Sequence, residues 1–287
     1  MKSSKKTIRS YLLTFCMTMI VAAVFITIGT LAGVLDIHNM EQALVTSEYH
    51  ENLAKETKLS VENILLTAGL KQEIVDGIIV KDTFLEQSKT YIEKTLSGEA
   101  AHVDISDILK NLEKSLEDYL YKEDIEVDSK VEEGITIMMD EIKQTCLNAI
   151  NNPLFRYLYE YGLKYRYILH YVLALLLVLL GILHIVLIRI HRMPHRGWNY
   201  IAYGWLSGTL LSVVLPVYGL LTRLYARVNV TPKYFNMFFS EYFKQSLYEY
   251  LYVALIGVIV YMLVMAFVVY SRNKQIKQIE MRQKLSV

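Results

Sequence analysis

Cysteine is nearly missing from this chain, which has only Cys16, inside the first apolar run, and Cys146, in an acidic region. A bridge between them would join a membrane-embedded site to a distant one, so no disulfide framework is expected. None of the seven histidines forms H-x-x-x-H or H-E-x-x-H, which removes zinc ligation by a local motif. No stretch alternates as a half-buried strand and no Asn-Gly hairpin signal occurs, which argues against β structure. Asp, Glu, Lys and Arg are absent from the centres of the most apolar runs. Ion-coupled transporters and intramembrane proteases need ionisable groups at depth, so that absence counts against both. The basic residues gather at the ends of apolar runs and not on an aromatic-studded surface, so no nucleic-acid partner is expected.

What is abundant is apolar. Hydrophobic residues make up 53% of the chain and mean hydropathy is +0.28. That is too apolar for an average soluble protein and too charged for one buried in lipid throughout. The net charge of +1 hides a division. Residues 36–164 carry 26 acidic and 13 basic side chains, a net of −13, which leaves +14 for the remainder.

Four apolar runs, 10–35, 166–189, 200–222 and 248–270, reach the roughly 20 residues a helix needs to cross a hydrocarbon core. The first follows the basic stretch MKSSKKTIR, but it exceeds the roughly 7–15 residues of a signal-peptide core and no clean A-x-A site follows. It is expected to stay as an anchor. Lys2, Lys5, Lys6 and Arg9 precede this run; Arg189, Arg192 and Arg196 separate the second and third; Arg272, Lys274, Lys277, Arg282 and Lys284 follow the fourth. The positive-inside bias then makes 1–9, 190–199 and 271–287 cytoplasmic, with both termini inside. The expected fold is all-α: a polytopic protein of the cell membrane with four transmembrane helices, an extracytoplasmic helical bundle at 36–165 between spans one and two, and a shorter outer loop at 223–247.

Within 36–165, Asp104 is expected to cap a helix that places Ile105, Ile108, Leu109, Leu112, Leu116, Tyr119 and Leu120 on one face. Ser129 and Glu132 have capping-box spacing ahead of Val131, Ile135, Met138, Met139, Ile142 and Cys146, and Pro153 follows the end of that helix. Another helix near 82–96 uses Phe84, Leu85, Tyr91, Ile92 and Leu96 and stops at Gly98. Helical stretches at 40–58 and, broken, at 60–76 complete a bundle long enough for its own core. A bundle between two spans is similar in architecture to the sensor domains of bacterial chemoreceptors and histidine kinases. The short tail after Tyr270 is expected to hold no output module of their kind.

The candidate residues are structural. Gly204, Gly208 and Ser212 fall at i, i+4 and i+8, and Gly29 and Gly33 form a shorter patch; small residues let helices approach closely, within the chain or in a homo-oligomer. Pro216 is expected to kink the third span. Thr231 and Pro232 read as N-cap and N1 of an amphipathic helix carrying Phe235, Phe238, Phe239, Tyr242 and Phe243, expected to lie in the outer interface or to dock under the acidic domain. Arg223 and Arg227 oppose the charge bias and suit contacts with the acidic domain or anionic headgroups. Twelve of the 22 tyrosines fall in two windows, six within FRYLYEYGLKYRYILHY and six between Tyr225 and Tyr252. They read as an interfacial aromatic belt, or as a cleft in which Tyr157, Tyr161 and Tyr165 face Phe235, Phe239 and Tyr242.

Nothing points to a catalytic residue, a cofactor or a bound metal. Asp124, Glu126 and Asp128 alternate like the start of a calcium loop, but Ser129 replaces the turn glycine and Ile135 the bidentate glutamate, so a solvated loop is expected. His184 lies near the end of span two and reads as an interfacial or bundle-facing residue. The function expected is therefore non-catalytic: contact with membrane lipids and a protein, peptide or lipid ligand, or sensing at the cell envelope. The alternatives are an oligomeric channel or transport accessory subunit, and an outer-leaflet lipid- or lipoprotein-modifying enzyme with His102 and His170 as its best bases.

Overall fold

Each apolar run becomes the interior of a long helix, because a backbone in hydrocarbon has no water to bond and must satisfy its polar groups internally. The computed structural model describes residues 2–75, 82–191, 193–227 and 229–284. Asp76 and Arg192 fall outside them, as do the side chains of Lys2, Lys5, Arg282 and Lys284. The helices are α1 (Lys2–Gly29), α2 (Ile37–Thr46), α3 (Tyr49–Thr67), α4 (Asp82–Ser97), α5 (Ser106–Lys122), α6 (Ser129–Ile150), α7 (Pro153–Ile190), α8 (Pro194–Leu221) and α9 (Lys233–Lys284), with no strand among the described residues. Helices α1, α7, α8 and α9 contain segments long and apolar enough to cross a membrane, as a multi-pass membrane protein requires.

The chain divides into two compact units. The first comprises Met1–Met40, Lys164–Val228 and Ser240–Val287, the second Glu41–Leu163 and Asn229–Phe239. In the first, α1 and α8 make the most extensive pairing. Met17, Val21 and Phe25 of α1 meet Leu180 and Leu187 of α7, Ile201 of α8 and Val253 of α9 in one buried cluster. On α7, Leu175, Val178, Ile182 and Ile185 recur every three or four residues and stay exposed, an apolar stripe that suits acyl chains. A π-helical turn, Thr30–Val34, ends α1.

In the second unit α3 packs on α4 and α6, and α5 on α6. Ile108, Leu112, Leu116 and Leu120 bury one face of α5 at steps of four, and Met138, Ile142, Cys146 and Ile150 do the same on α6. Each such side chain contributes roughly 1.5–3 kcal/mol of burial, so it is the stripe and not intrinsic propensity that holds these helices. Helix α4 buries Phe84, Tyr91, Ile92 and Leu96 and stops at Gly98, whose φ of +80° glycine adopts without strain. A Cβ at Gly98 would also strike Tyr159.

Several helix starts differ from the sequence reading. Helix α5 begins at Ser106, behind Ile105, and Asp104 accepts from the Ser106 amide at 2.9 Å from two residues back. Hydrogen bonds from the Ser106 side chain and amide hold the Asp104 carboxyl below its usual range. Asp128, not Ser129, caps α6: its Oδ1 accepts from the amides of Lys130 at 3.1 Å and Val131 at 2.8 Å. Pro232, not Thr231, ends the approach to α9, its carbonyl accepting from the amides of Phe235 and Asn236.

The largest difference concerns the aromatic segment around Phe235–Phe243. It is not a separate helix. It forms the first turns of α9, which runs unbroken for 52 residues, about 78 Å at 1.5 Å per residue. No glycine or proline stands between Lys233 and Leu247 to interrupt it. Helix α8 likewise continues through Pro216 to Leu221.

Candidate functional site

Glu48 adopts a left-handed backbone (φ 49°), which separates α2 from α3 and leaves Tyr49 as the first residue of α3. The Tyr49 ring is buried and meets four others: Tyr234 at 5.3 Å, Phe235 at 5.5 Å, Phe155 at 5.6 Å and Phe238 at 5.9 Å between centroids. All four contacts are edge-on, the arrangement that sets a ring's positive edge against a negative face. Phe155 adds contacts to Phe235 at 6.2 Å and Phe238 at 5.8 Å. The cluster thus ties the start of α3, the start of α7 and the start of α9 together, all within the second unit. Desolvation, and then the neighbouring Tyr234, pushes the Tyr49 hydroxyl well above its usual range.

Next to it, His50 is buried and shares a 2.8 Å hydrogen bond with Ser88 Oγ, joining α3 to α4. Desolvation lowers its pKa to about 4, with Glu51 opposing and Lys89 adding to the shift. At neutral pH the imidazole is uncharged.

The first unit carries a second constellation, a seam of small and polar residues. A Cβ at Gly208 would lie 2.6 Å from Val21 and 2.8 Å from the Thr18 carbonyl oxygen, and one at Gly204 3.0 Å from Met17 Sδ. Gly29 sits against the Tyr250 ring, and a Cβ at Gly33 would lie 3.1 Å from the Ser246 carbonyl oxygen. Ser212 is buried and donates to the Thr209 carbonyl at 2.8 Å. The glycines expected at a helix interface therefore face other helices of the same chain, α1 against α8 and α1 against α9. Polar side chains close the α1–α9 contact. Asn39 Nδ2 donates to the Gly33 carbonyl at 2.9 Å and to Ser246 Oγ at 3.3 Å, the Thr30 and Tyr250 hydroxyls share a 2.7 Å bond, and the Tyr242 hydroxyl donates to the Val34 carbonyl.

The two tyrosine windows meet differently from the cleft the sequence suggested. Tyr157 and Tyr161 are half-exposed or more, with their own rings 6.4 Å apart, and Tyr165 is similarly exposed. The residue of that window that reaches Phe235 is Phe155, and the contact is closed packing. Phe239 is partly buried against Phe238 at 5.1 Å, and Tyr242 is buried. Arg223 and Arg227 are both exposed in the connection between α8 and α9, Arg223 with φ 51°.

Three pairings had no signal at the level of spacing. Trp205 Nε1 donates to His184 Nε2 at 3.0 Å, while His184 Nδ1 faces the Leu180 carbonyl at 2.7 Å, which joins α7 to α8 through a side-chain contact. Tyr49 with Phe155, and Asn39 with Ser246, are the others. Each joins positions more than 20 residues apart, so no local pattern records them. Of the histidines weighed as bases, His102 is exposed ahead of α5 and His170 turns Nδ1 to the Arg166 carbonyl of its own helix. Among the described residues no group of three or more potential metal ligands gathers. No protein-family model matches this chain, and neither a curated protein nor a solved structure is significantly similar to it.

Proposed function

We propose that this is a non-catalytic membrane protein that senses or binds a protein, peptide or lipid ligand with its acidic helical domain and passes the outcome to the opposite membrane face through α7 and α9. In this reading the domain is extracytoplasmic and both termini are cytoplasmic, as the distribution of basic residues supports.

The observation that carries the proposal is the buried aromatic cluster. Ring contacts of this kind are each worth about 0.5–1.5 kcal/mol beyond their burial, so Tyr49, Phe155, Tyr234, Phe235 and Phe238 make the starts of α3, α7 and α9 move as a group. Helices α7 and α9 are each unbroken from this cluster into an apolar span. A ligand that binds two positions of α3 unequally shifts the balance between them, and two continuous helices give that shift a route.

Hydrogen exchange on the full-length protein in nanodiscs tests this. Phe155→Ala should raise exchange in the first turns of α3 and α9 as well as in α7, whereas Tyr161→Ala, on the exposed side of α7, should leave both unchanged. Unchanged exchange in α9 with Phe155→Ala would remove the coupling.

A further inference from the structure

Lys6, Tyr11, His191, Arg196, Asn199 and Tyr200 line a cavity of about 480 Å³ in the first unit, between the start of α1 and the corner that joins α7 to α8. That volume lies within the range of small-ligand sites. Its chemistry is one-sided: two cations, Lys6 and Arg196, stand exposed at its rim, and none of its described lining residues is acidic.

The floor is built from packed rings. His191 stacks on Tyr200, with centroids 5.1 Å apart and planes 13° apart, and its Nε2 shares a 3.0 Å hydrogen bond with Ser10 Oγ. Tyr11 closes on Tyr200 edge-on at 5.6 Å. Desolvation, then the charges of Arg196 and Lys6, hold His191 below its ordinary value. Met193, the N-cap of α8, also lines the cavity and provides no side-chain cap, so the start of a 28-residue helix adjoins the same space.

We propose that this cavity binds a phosphate group, either the phosphodiester of an anionic phospholipid headgroup or free phosphate. Lys6 and Arg196 supply the charge, Asn199 supplies a neutral donor, and the rings form the wall. The site stands independently of the sensing role proposed above.

The test uses full-length protein and two probes. In the first arm, the protein is reconstituted with phosphatidylcholine and phosphatidylglycerol, and retained phosphatidylglycerol is counted by native mass spectrometry. In the second, inorganic phosphate is titrated into protein in phosphatidylcholine nanodiscs. Lys6→Gln and Arg196→Gln should each weaken binding about fivefold, and the double variant on the order of twentyfold, as the loss of one and two cations at a membrane surface implies. Both residues are exposed, so an unchanged circular dichroism melt should confirm that the variants fold. Arg272→Gln with Lys274→Gln makes the same charge change outside the cavity and should leave binding within about twofold. A response in the first arm alone assigns a lipid headgroup, and a saturable response in the second assigns free phosphate. Binding that is unchanged in the double variant, or equally weakened in the control pair, overturns the proposal.

Discussion

Acid should loosen the junction of α3 and α4 through one residue, His50. In the folded chain its imidazole titrates at about 4, against an ordinary value of 6.5, because it is buried between Tyr49 and Ser88. The unfolded segment therefore binds the proton first. The stability contributed by the neutral imidazole is whole above pH 6.5, and it falls as pH drops toward 4. At about 1.4 kcal/mol per pKa unit, the loss at pH 5 is about 2 kcal/mol and approaches about 3 kcal/mol by pH 4. In hydrogen exchange corrected for intrinsic rates, that is roughly a thirtyfold loss of protection in α3 and α4 between pH 7.5 and pH 5. His50→Gln keeps a donor for Ser88 but does not titrate, so its protection should lack this component. If the variant loses as much protection as the natural chain over that interval, His50 is not the group responsible.

Other substitutions separate close packing from open surface. Gly208→Val should destabilise the α1–α8 pairing by about 1–3 kcal/mol, because the new side chain meets Val21 and the Thr18 carbonyl, while Gly181→Ala, with nothing within 4 Å, should leave the thermal midpoint in detergent unchanged. Phe155→Ala should cost about 3–5 kcal/mol in chemical denaturation of the acidic domain within the full chain, against less than about 0.5 kcal/mol for Tyr161→Ala. Asp128→Ala should cost about 1 kcal/mol and raise exchange in the first turn of α6, whereas Ser129→Ala should do neither.

Much of the architecture was legible because it is periodic. Ile108, Leu112, Leu116 and Leu120 announce α5 by spacing alone, and the spans announce themselves by length. Gly204 and Gly208 repeat at the same helical step, although spacing does not say which helix packs on them. Cap positions shifted by one or two residues because Asp104, Asp128 and Thr231 sit beside other residues able to serve, and only geometry chooses among them. The aromatic segment at 235–243 read as a separate helix because its amphipathic pattern changes to uniform apolarity near Tyr248. The backbone does not register that change, since nothing there breaks a helix. Tyr49 was illegible: a lone tyrosine after a turn carries no pattern, and its four partners come from two distant stretches of sequence.

In the proposed coupling, the state of the aromatic cluster reaches the far ends of α7 and α9. Nitroxides at Arg189→Cys and Arg272→Cys would report it, in a Cys16→Ser background that leaves only the buried Cys146. Distances between them are measured by pulsed electron resonance in nanodiscs, with the cluster intact and with Phe238→Ala. Cutting the cluster should shift or broaden the distribution; two superimposable distributions would show that the coupling does not exist.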